Sequence, residues 1–476
     1  MTKQTVSDAL KFRNKKIDMD WGKSQNEGDS SPDTVAGANV LVLHPYLKLK
    51  SLLNFKPKRA VTSALRSPEA RLEEAVGLCQ ALDLNVVQSL LIKLSKLTSA
   101  TYVGKGKLLE LANIISLEKI ELVILDCELS PGQQRNIETL LKIKVIDRTG
   151  LILEIFGERA QTKEGVLQVE LAHLTYQKSR LVRSWTHLER QRGGFGFLGG
   201  PGESQIESDR RMIGDRIHKI EQQLEDVSKT RHLHRRGRKK SNYPVMAMVG
   251  YTNAGKSTLF NYLTDENVMA ADLLFATLDP TMREIDLANG KKAILSDTVG
   301  FISELPMQLV AAFKATLEEV VEADLILHVR DIHHPDTEAQ KEDVMKILTS
   351  LGLEEGPDCI IHEVWNKIDL LETQQRNIVE NLAQLKENVS LLSAARGEGC
   401  AEFRQDLNDI LAQNTTTLKI SYEHSQGAQV AWMYKHSEVI DRLDTETATI
   451  LTVRLDKSML GRIDKDPSLI GKIVGS

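Results

Sequence analysis

Short apolar runs alternate with amphipathic stretches between about residues 58 and 165. Short runs of apolar residues bounded by polar or turn residues predict buried strands, whereas apolar residues at helical spacing predict helices. Because strands and helices alternate here, this segment is predicted to be a layered α/β domain. The predicted strands are 60–63, 122–125 and 144–146, the predicted helices are 67–82 and 133–141, and a further apolar stretch covers 86–97.

The pattern changes between residues 166 and 240. Apolar spacing predicts two helices, at 166–192 and 204–227. The Gly-rich segment 193–202 between them fits neither a helix interior nor a central strand, and the second helix leads into a basic stretch at 231–240. We therefore expect a helical hairpin with a Gly-rich tip and a basic linker.

The α/β alternation returns over residues 241–413, which are predicted to form a second α/β domain. Its helices are predicted to begin near 258 and 401. Its predicted strands are 245–249 and 292–296, a largely apolar run covers 359–365, and the segment 389–392 precedes Ser393.

The two ends of the chain differ from this pattern. Residues 1–57 are polar apart from the apolar island 40–43, which predicts a flexible extension with one candidate strand. Residues 414–476 are predicted to form a small α+β domain in β-α-β order. Its predicted elements are strand 417–420, helix 427–443 and strand 447–454.

Composition limits the classes of protein that fit. With 476 residues the chain is long enough for about three domains. Its 61 Lys and Arg residues against 66 Asp and Glu residues give a net charge of −5, so any contact with nucleic acid must be local. The four cysteines form no close pairs, which argues against a disulfide framework or a zinc site. Since no apolar run is long enough to cross a membrane, we expect a cytoplasmic protein.

The segment from Gly250 to Ser257 matches the phosphate-binding pattern G-x-x-x-x-G-K-[ST] at every defined position. It lies between a predicted strand and a predicted helix, which is the context that the motif requires. Its glycines allow successive N–H groups to point at the phosphates, Lys256 can reach the β- and γ-phosphates, and the Ser257 hydroxyl can bind Mg²⁺. The predicted nucleotide-binding residues are Gly250, Tyr251, Thr252, Asn253, Ala254, Gly255, Lys256, Ser257 and Thr258.

The segment Asp297-Thr-Val-Gly300 follows a predicted strand. It places the Asp297 carboxylate at a strand end, where it can hold Mg²⁺ through water, and leaves the Gly300 N–H for the γ-phosphate. The expected Mg²⁺ ligands are Ser257, Thr277 and Asp297, and the residues expected to act in hydrolysis are Lys256, Thr277 and Gly300.

Two further segments identify the base as guanine. In Asn366-Lys367-Ile-Asp369 the Asp369 carboxylate can accept hydrogen bonds from the N1–H and the exocyclic amine that guanine presents and adenine lacks. Ser393 and Ala394 can offer a backbone N–H to the guanine carbonyl.

Because these motifs occur in order, the predicted fold class is α/β. It combines a P-loop GTPase domain, an N-terminal α/β domain with a helical hairpin, and a small C-terminal α+β domain.

A threonine is needed to complete the Mg²⁺ shell and to sense the γ-phosphate. Thr277 and Thr281 lie in the interval between the phosphate loop and Asp297, and we favour Thr277. A Pro-containing turn between two strands is the simpler interpretation of the same segment.

Phe301 occupies the position where small Ras-type GTPases carry a glutamine that orients the attacking water. A phenyl ring offers none of these hydrogen bonds, so we expect slow intrinsic turnover and activation from outside the site. Asn253 resembles the residue with which potassium-stimulated GTPases hold a monovalent cation, although asparagine is also a common loop residue.

Two other basic regions are candidates for phosphate-rich ligands. The hairpin carries basic residues interleaved with Tyr176 and Trp185, which suits contact with structured RNA; a solvated hairpin between two domains is the alternative. In the N-terminal domain, the turn 104–107 with Arg135 and Arg148 is a second candidate, with solvated loop charges as the simpler interpretation. The basic residues of the first hairpin helix are Lys178, Arg180, Arg183, Arg190 and Arg192.

The ordered motifs resemble the HflX family of ribosome-associated GTPases over about residues 58–415. The matching segments upstream are 104–106, 147–153, 167–171, 200–203 and 209–211. Those in the GTPase domain are 250–258, 275–281 and 297–301.

The resemblance implies binding to the large ribosomal subunit through the N-terminal domain and the hairpin, and GTP-dependent splitting or rescue of stalled ribosomes. From the motifs we expect GTP, GDP and Mg²⁺ as ligands, with K⁺ as a further candidate, and we expect the protein to be a monomer. Some family members have an ATP-linked activity in the N-terminal domain, but this sequence contains no second phosphate loop. The alternatives are a GTP-dependent RNA-modifying enzyme and a signalling GTPase that acts on another RNA or on a protein.

Overall fold

The computed structural model describes most of the chain. The described residues are 37–47, 66–191, 201–238, 243–265, 274–275, 281–287, 292–303, 314–353, 356, 359–413, 415–456, 463 and 470–475. The predicted strand at 60–63, most of the Gly-rich segment and Thr277 lie outside them.

The N-terminal region contains a four-stranded parallel sheet in the order β2-β1-β3-β4. Its strands are β1 (Asn39–Leu47), β2 (Asn85–Leu94), β3 (Leu122–Leu125) and β4 (Lys144–Asp147). The apolar island 40–43, expected in the N-terminal extension, lies in β1 and is completely buried between β2 and β3. This sheet therefore includes residues upstream of position 58.

Four helices accompany this sheet, and three of them begin at residues suited to cap a helix. Ser67 and Ser130 accept from backbone N–H groups of the first turn, with Pro at the first helical position, and Asp147 accepts from Gly150 N. Such caps satisfy backbone donors that the helix itself leaves without partners. The helices are α1 (Pro68–Gln80), α2 (Lys105–Leu117), α3 (Pro131–Leu141) and α4 (Arg148–Arg159).

Two long helices follow, α5 (Lys163–Gln191) and α6 (Pro201–Arg238). They contact each other, and Arg216 Nε of α6 donates to Glu170 Oε1 of α5 at 2.7 Å. Pro201 and Gly202, expected in a non-helical tip, form the start of α6, because proline at the first position lacks only an N–H that the helix would leave without a partner. Most of the basic linker is also helical, since α6 continues to Arg238.

The second α/β region contains a six-stranded sheet in the order β10-β9-β8-β5-β7-β6. All neighbouring strands are parallel except β6, which runs antiparallel to β7. The strands are β5 (Val245–Gly250), β6 (Thr281–Asp286), β7 (Lys292–Asp297), β8 (Leu325–Asp331), β9 (Ile361–Asn366) and β10 (Val389–Leu391). The helices are α7 (Lys256–Thr264), α8 (Lys314–Val321), α9 (Thr337–Ser350), α10 (Thr373–Gln384) and α11 (Cys400–Gln413).

The C-terminal region corrects one sequence-based prediction. The expected helix 427–443 ends early: α12 covers Gly427–His436, and the next residues form strand β12 (Glu438–Asp444). Ser437 Oγ donates to Met433 O at 2.7 Å, which satisfies a carbonyl of the last helical turn. With β11 (Thr415–Glu423), β13 (Ala448–Asp456) and β14 (Lys472–Gly475), β12 forms an antiparallel sheet rather than a β-α-β unit.

Candidate nucleotide-binding site

The predicted nucleotide motifs lie at one edge of the six-stranded sheet. The phosphate loop leaves β5, Asp297 ends β7, Asn366 ends β9, and the Ser393 segment follows β10. Because these strands are parallel, their carboxyl ends meet at the same edge. In open α/β sheets this is the edge where ligands bind.

The phosphate loop needs glycine at two positions. A Cβ on Gly250 would lie 2.2 Å from Val329 O of the neighbouring strand β8. Gly255 has a φ of +91°, and its Cβ would lie 2.2 Å from Asn366 Nδ2. The loop therefore packs directly against β8 and against the first residue of the base-reading motif, and larger side chains at either position would displace it.

Lys256 is buried at the start of α7. Its Nζ donates to Gly250 O at 3.1 Å and to Tyr251 O at 2.9 Å, so the backbone of the loop holds the ammonium group. Burial lowers the pKa of Lys256 to about 8, against the opposing effect of the Asp297 carboxylate. A buried cation at this place can bind phosphate oxygens with little competition from water.

Ser257 and Asp297 lie together beside Lys256. Ser257 Oγ donates to Asp297 Oδ2 at 2.9 Å, and Asp297 is completely buried at the end of β7. Thr298 Oγ1 donates to Met248 O of β5 at 2.5 Å, which ties the two strand ends together. A hydroxyl and a carboxylate are oxygen ligands of the kind that Mg²⁺ prefers, so these side chains fit the expected ion.

The backbone after Gly300 docks on the phosphate loop. Phe301 N donates to Gly250 O at 3.0 Å, and Thr252 N donates to Phe301 O at 2.8 Å. The Phe301 side chain is 2% exposed. A Cβ on Gly300 would lie 3.1 Å from Lys256 Nζ. Gly300 thus lies next to the phosphate-binding lysine, and the ring that follows it is packed into the protein.

Asn366 connects the base-reading motif to two loops. Its Nδ2 donates to Ala254 O of the phosphate loop at 2.9 Å, and its Oδ1 accepts from Ala394 N at 3.0 Å. Ser393 N donates to Glu398 O at 2.8 Å. The backbone donors expected to meet the guanine carbonyl are therefore engaged within the protein in this structure.

The two other residues of the motif carry charges paired across the site. Lys367 Nζ lies 2.9 Å from Asp331 Oδ2 at the end of β8. Asp369 Oδ2 lies 3.3 Å from Arg396 Nε, whose side chain is largely exposed. The Asp369 carboxylate is thus held beside a cation at the mouth of the site.

Of the remaining predicted residues, the structure describes Thr281, Phe275 and Asn253 but not Thr277. Thr277 lies outside the described residues, so its role stays a prediction. Thr281 begins β6 and is the register partner of Asp297 on β7. Phe275 is buried, with its ring 4.7 Å from that of Phe156 in α4. Asn253 is exposed in the phosphate loop, with a φ of +58°.

Three basic or aromatic candidates outside this site are engaged in other contacts. Arg148 is buried and donates to Asp126 Oδ1 at 2.5 Å, so it cannot bind a phosphate-rich ligand as expected. Tyr176 OH and Arg180 Nη2 both donate to Asp147, each at 2.6 Å, and the Arg180 guanidinium lies 4.2 Å from the centre of the Tyr176 ring. These two residues join the middle of α5 to β4 and are not free to contact RNA.

Sequence reasoning missed one set of contacts at the site. The Tyr251 hydroxyl donates to Glu74 of α1 and accepts from the backbone N–H of Ser303 in the loop after β7. The phosphate-loop pattern leaves the residue after its first glycine undefined, so no signal in the motif marks this tyrosine.

Comparison with known proteins agrees with this arrangement. Four family profiles match consecutive parts of the chain: GTP-binding GTPase N-terminal at 69–157, GTP-binding GTPase middle region at 159–238, 50S ribosome-binding GTPase at 245–367, and HflX C-terminal domain at 378–467. The last match extends the likeness beyond residue 415.

Two relatives, from Magnetococcus marinus and Escherichia coli, support the same family. The GTPase HflX of Magnetococcus marinus is 48% identical over 392 residues, which cover 82% of this chain and 89% of the relative. The GTPase HflX of Escherichia coli is 46% identical over 349 residues, covering 71% of this chain and 81% of the relative. A crystal structure of SsGBP with GDP has 26% identity and a TM-score of 0.44, and it covers 79% of this chain and 99% of that one.

No helix among the described residues is long and apolar enough to span a bilayer.

The family matches follow one another along the chain, and they include the segment that carries the phosphate loop. The chain therefore belongs to the HflX family of GTPases and is an enzyme that binds and hydrolyses GTP.

Proposed function

We propose that this protein binds the large ribosomal subunit in its GTP form and splits or rescues stalled ribosomes in the cytoplasm. The match of residues 245–367 to 50S ribosome-binding GTPases supports this partner. We assign the contact to the N-terminal domain and to the hairpin of α5 and α6.

The observation that carries the proposal is the position of Phe301. Its ring is buried and its backbone is bonded to the phosphate loop, so this residue cannot orient the attacking water. The side chain at the position where Ras-type GTPases carry a catalytic glutamine therefore gives the attacking water no hydrogen bond here. A site of this kind turns over slowly until a partner completes it, and a ribosomal subunit is a partner of the right class.

Within the site, Lys256 and the Gly300 N–H would bind the γ-phosphate, and Ser257, Asp297 and Thr277 would hold Mg²⁺. When bound, the ion would supply positive charge to offset the charge of the phosphates. Asp369 reads the guanine edge, while Asn366 positions the phosphate loop and the Ser393–Ala394 segment through its two hydrogen bonds. Asn253 would hold K⁺ beside the phosphates, where a cation would stabilise the charge that develops during hydrolysis.

The GTP hydrolysis rate of the purified protein, alone and with large ribosomal subunits, tests this function. We expect large subunits to raise the rate at least about tenfold, a change of about 1.4 kcal/mol in the barrier. Small subunits and an EDTA-treated sample serve as controls, and each rate is measured in potassium and in sodium buffer. Normal GTP binding without stimulation would point instead to another RNA or a protein effector. Equal rates in the two salts would remove the role of K⁺.

A further inference from the structure

A buried polar cluster joins the N-terminal sheet region to the GTPase site. It consists of Glu74 on α1, Arg148 at the start of α4, Tyr251 in the phosphate loop, and Ser303 in the loop after β7. Arg148, Tyr251 and Ser303 are each at most 5% exposed. Since buried polar groups are costly unless they are bonded, the contacts in this cluster constrain one another.

The Tyr251 hydroxyl uses its full hydrogen-bonding capacity. Its proton goes to Glu74 Oε2, and its oxygen accepts from Ser303 N at 2.6 Å and from Arg66 Nη1 at 2.7 Å. A phenol has one donor and two acceptor lone pairs, so no capacity is left for water. The Arg66 guanidinium also lies 4.7 Å from the centre of the tyrosine ring.

Ser303 is held by all three of its polar atoms. Its N–H donates to Tyr251, its Oγ donates to Glu74 Oε1 at 3.0 Å, and Arg148 Nη2 donates to both its Oγ and its backbone oxygen, at 3.0 and 3.1 Å. This residue lies three positions after Gly300, whose N–H is assigned to the γ-phosphate. A segment held at Ser303 and at Phe301 has little freedom to move at Gly300.

Glu74 and Arg148 in this cluster stabilise each other's charged forms. Burial favours the neutral form of Glu74, but Arg148 and Arg66 outweigh it and lower the pKa of this carboxyl. Burial acts on Arg148 in the opposite sense to Asp126 and Glu74, and these carboxylates keep its pKa well above the usual value. Asp126 is bonded in turn to His44 of β1, with 2.7 Å between Oδ2 and Nδ1. Polar contacts thus continue from the N-terminal sheet to the loop after Gly300.

We propose that Tyr251 is a positioning residue for GTP hydrolysis. Together with Glu74 and Arg148 it fixes the segment from Gly300 to Ser303, so that the Gly300 N–H is ordered before GTP arrives. The advantage applies to GTP and not to GDP, because GDP has no γ-phosphate for Gly300 to meet. The N-terminal region thereby favours the GTP-bound form through contacts that do not touch the nucleotide.

The variant Tyr251→Phe tests this proposal, because it keeps the ring and removes the hydroxyl. Without the hydroxyl, Ser303 is no longer bonded to Tyr251, and the segment from Gly300 to Ser303 must be ordered when GTP binds. This ordering costs affinity. We expect the affinity for a non-hydrolysable GTP analogue to fall about tenfold, with GDP affinity changed less than about twofold and a lower kcat at saturating GTP. Fluorescence titration of the full-length protein measures the two affinities.

Two further variants test whether the effect comes from the positioning of the Gly300–Ser303 segment or from a general weakening of the contacts between the N-terminal region and the GTPase domain. Glu74→Gln weakens the same cluster and should change the analogue-to-GDP affinity ratio in the same direction. Asp343→Asn removes the ion pair with Arg66 Nη2, 3.0 Å away, but leaves the Tyr251–Ser303 contact, so its ratio should match the wild type. If Tyr251→Phe lowers both affinities equally, leaves the ratio unchanged or raises relative GTP affinity, the assignment is wrong. Melting temperatures report folding separately.

Discussion

Lys256 shows how burial prepares a single residue for its ligand. With a pKa lowered to about 8, part of the population carries a neutral amine near physiological pH. Phosphate groups favour the ammonium form, so nucleotide binding must restore the missing proton. The neutral fraction of the lysine thus becomes charged when the phosphates are present to compensate it.

This residue predicts a pH dependence of GTP binding. Above pH 8 the free protein has mostly lost the Lys256 proton, so binding takes up a proton and affinity falls as pH rises. With a pKa of about 8 we expect uptake of about a quarter of a proton at pH 7.5 and about three quarters at pH 8.5. Titration calorimetry in two buffers of different ionisation enthalpy measures this number. The same proton uptake at both pH values would contradict the assignment.

At the scale of an element, the central strand β8 contains a buried histidine. His328 is 1% exposed and is the register partner of Val249, just before the phosphate loop. Burial, reinforced by the nearby Arg330, lowers the pKa of His328 to about 3. The imidazole is therefore neutral in the folded protein at every pH where the protein is expected to work.

This histidine predicts loss of stability in acid. The unfolded histidine binds a proton below about pH 6.5, whereas the folded one does not bind it until about pH 3. Lowering the pH across that interval therefore lowers the free energy of unfolding, by up to about 1.4 kcal/mol per pH unit. We expect the melting temperature to drop between pH 7.5 and 5.5, and to drop less in His328→Leu. His362 and His173, whose pKa values burial also lowers, should keep part of the effect. An identical drop in the variant would show that His328 does not contribute.

At the scale of the whole molecule, we propose that the hairpin contacts RNA away from the nucleotide site. Tyr176 and Arg180, in the middle of α5, tie this helix to β4. Two long helices anchored in this way suit a probe that reaches a distant surface. The basic residues of α6 after residue 230 would strengthen a contact with RNA.

Removing the tip tests this division. Deletion of residues 193–202 should leave GTP affinity unchanged and abolish co-sedimentation with large ribosomal subunits. A Gly-Ser segment of equal length provides the matched control, because it keeps the connection and removes Phe195 and Phe197. If this replacement restores ribosome binding, the tip acts only as a spacer; if the deletion still binds ribosomes, the role assigned to the tip is wrong.

The sequence by itself determined the nucleotide site and most of the regular elements. Phosphate binding demands particular residues within eight consecutive positions, and a buried parallel strand demands a continuous apolar run, so both signals are local. For the same reason the predicted strand at 122–125 coincides with β3, and the predicted phosphate loop joins β5 to α7. The family likeness rests on these ordered local signals.

Only the tertiary structure decided which polar side chains are bonded to other residues of the protein. Tyr251 and Glu74 are 177 positions apart, and no pattern along the chain shows that they meet. Tyr176, Arg180 and Arg148 have the composition of an RNA or phosphate site, but nearby carboxylates engage them. The sequence predicts a helix over the residues of β12, but their pairing with β13 makes them a strand. Such outcomes depend on contacts between distant segments, which local propensity does not contain.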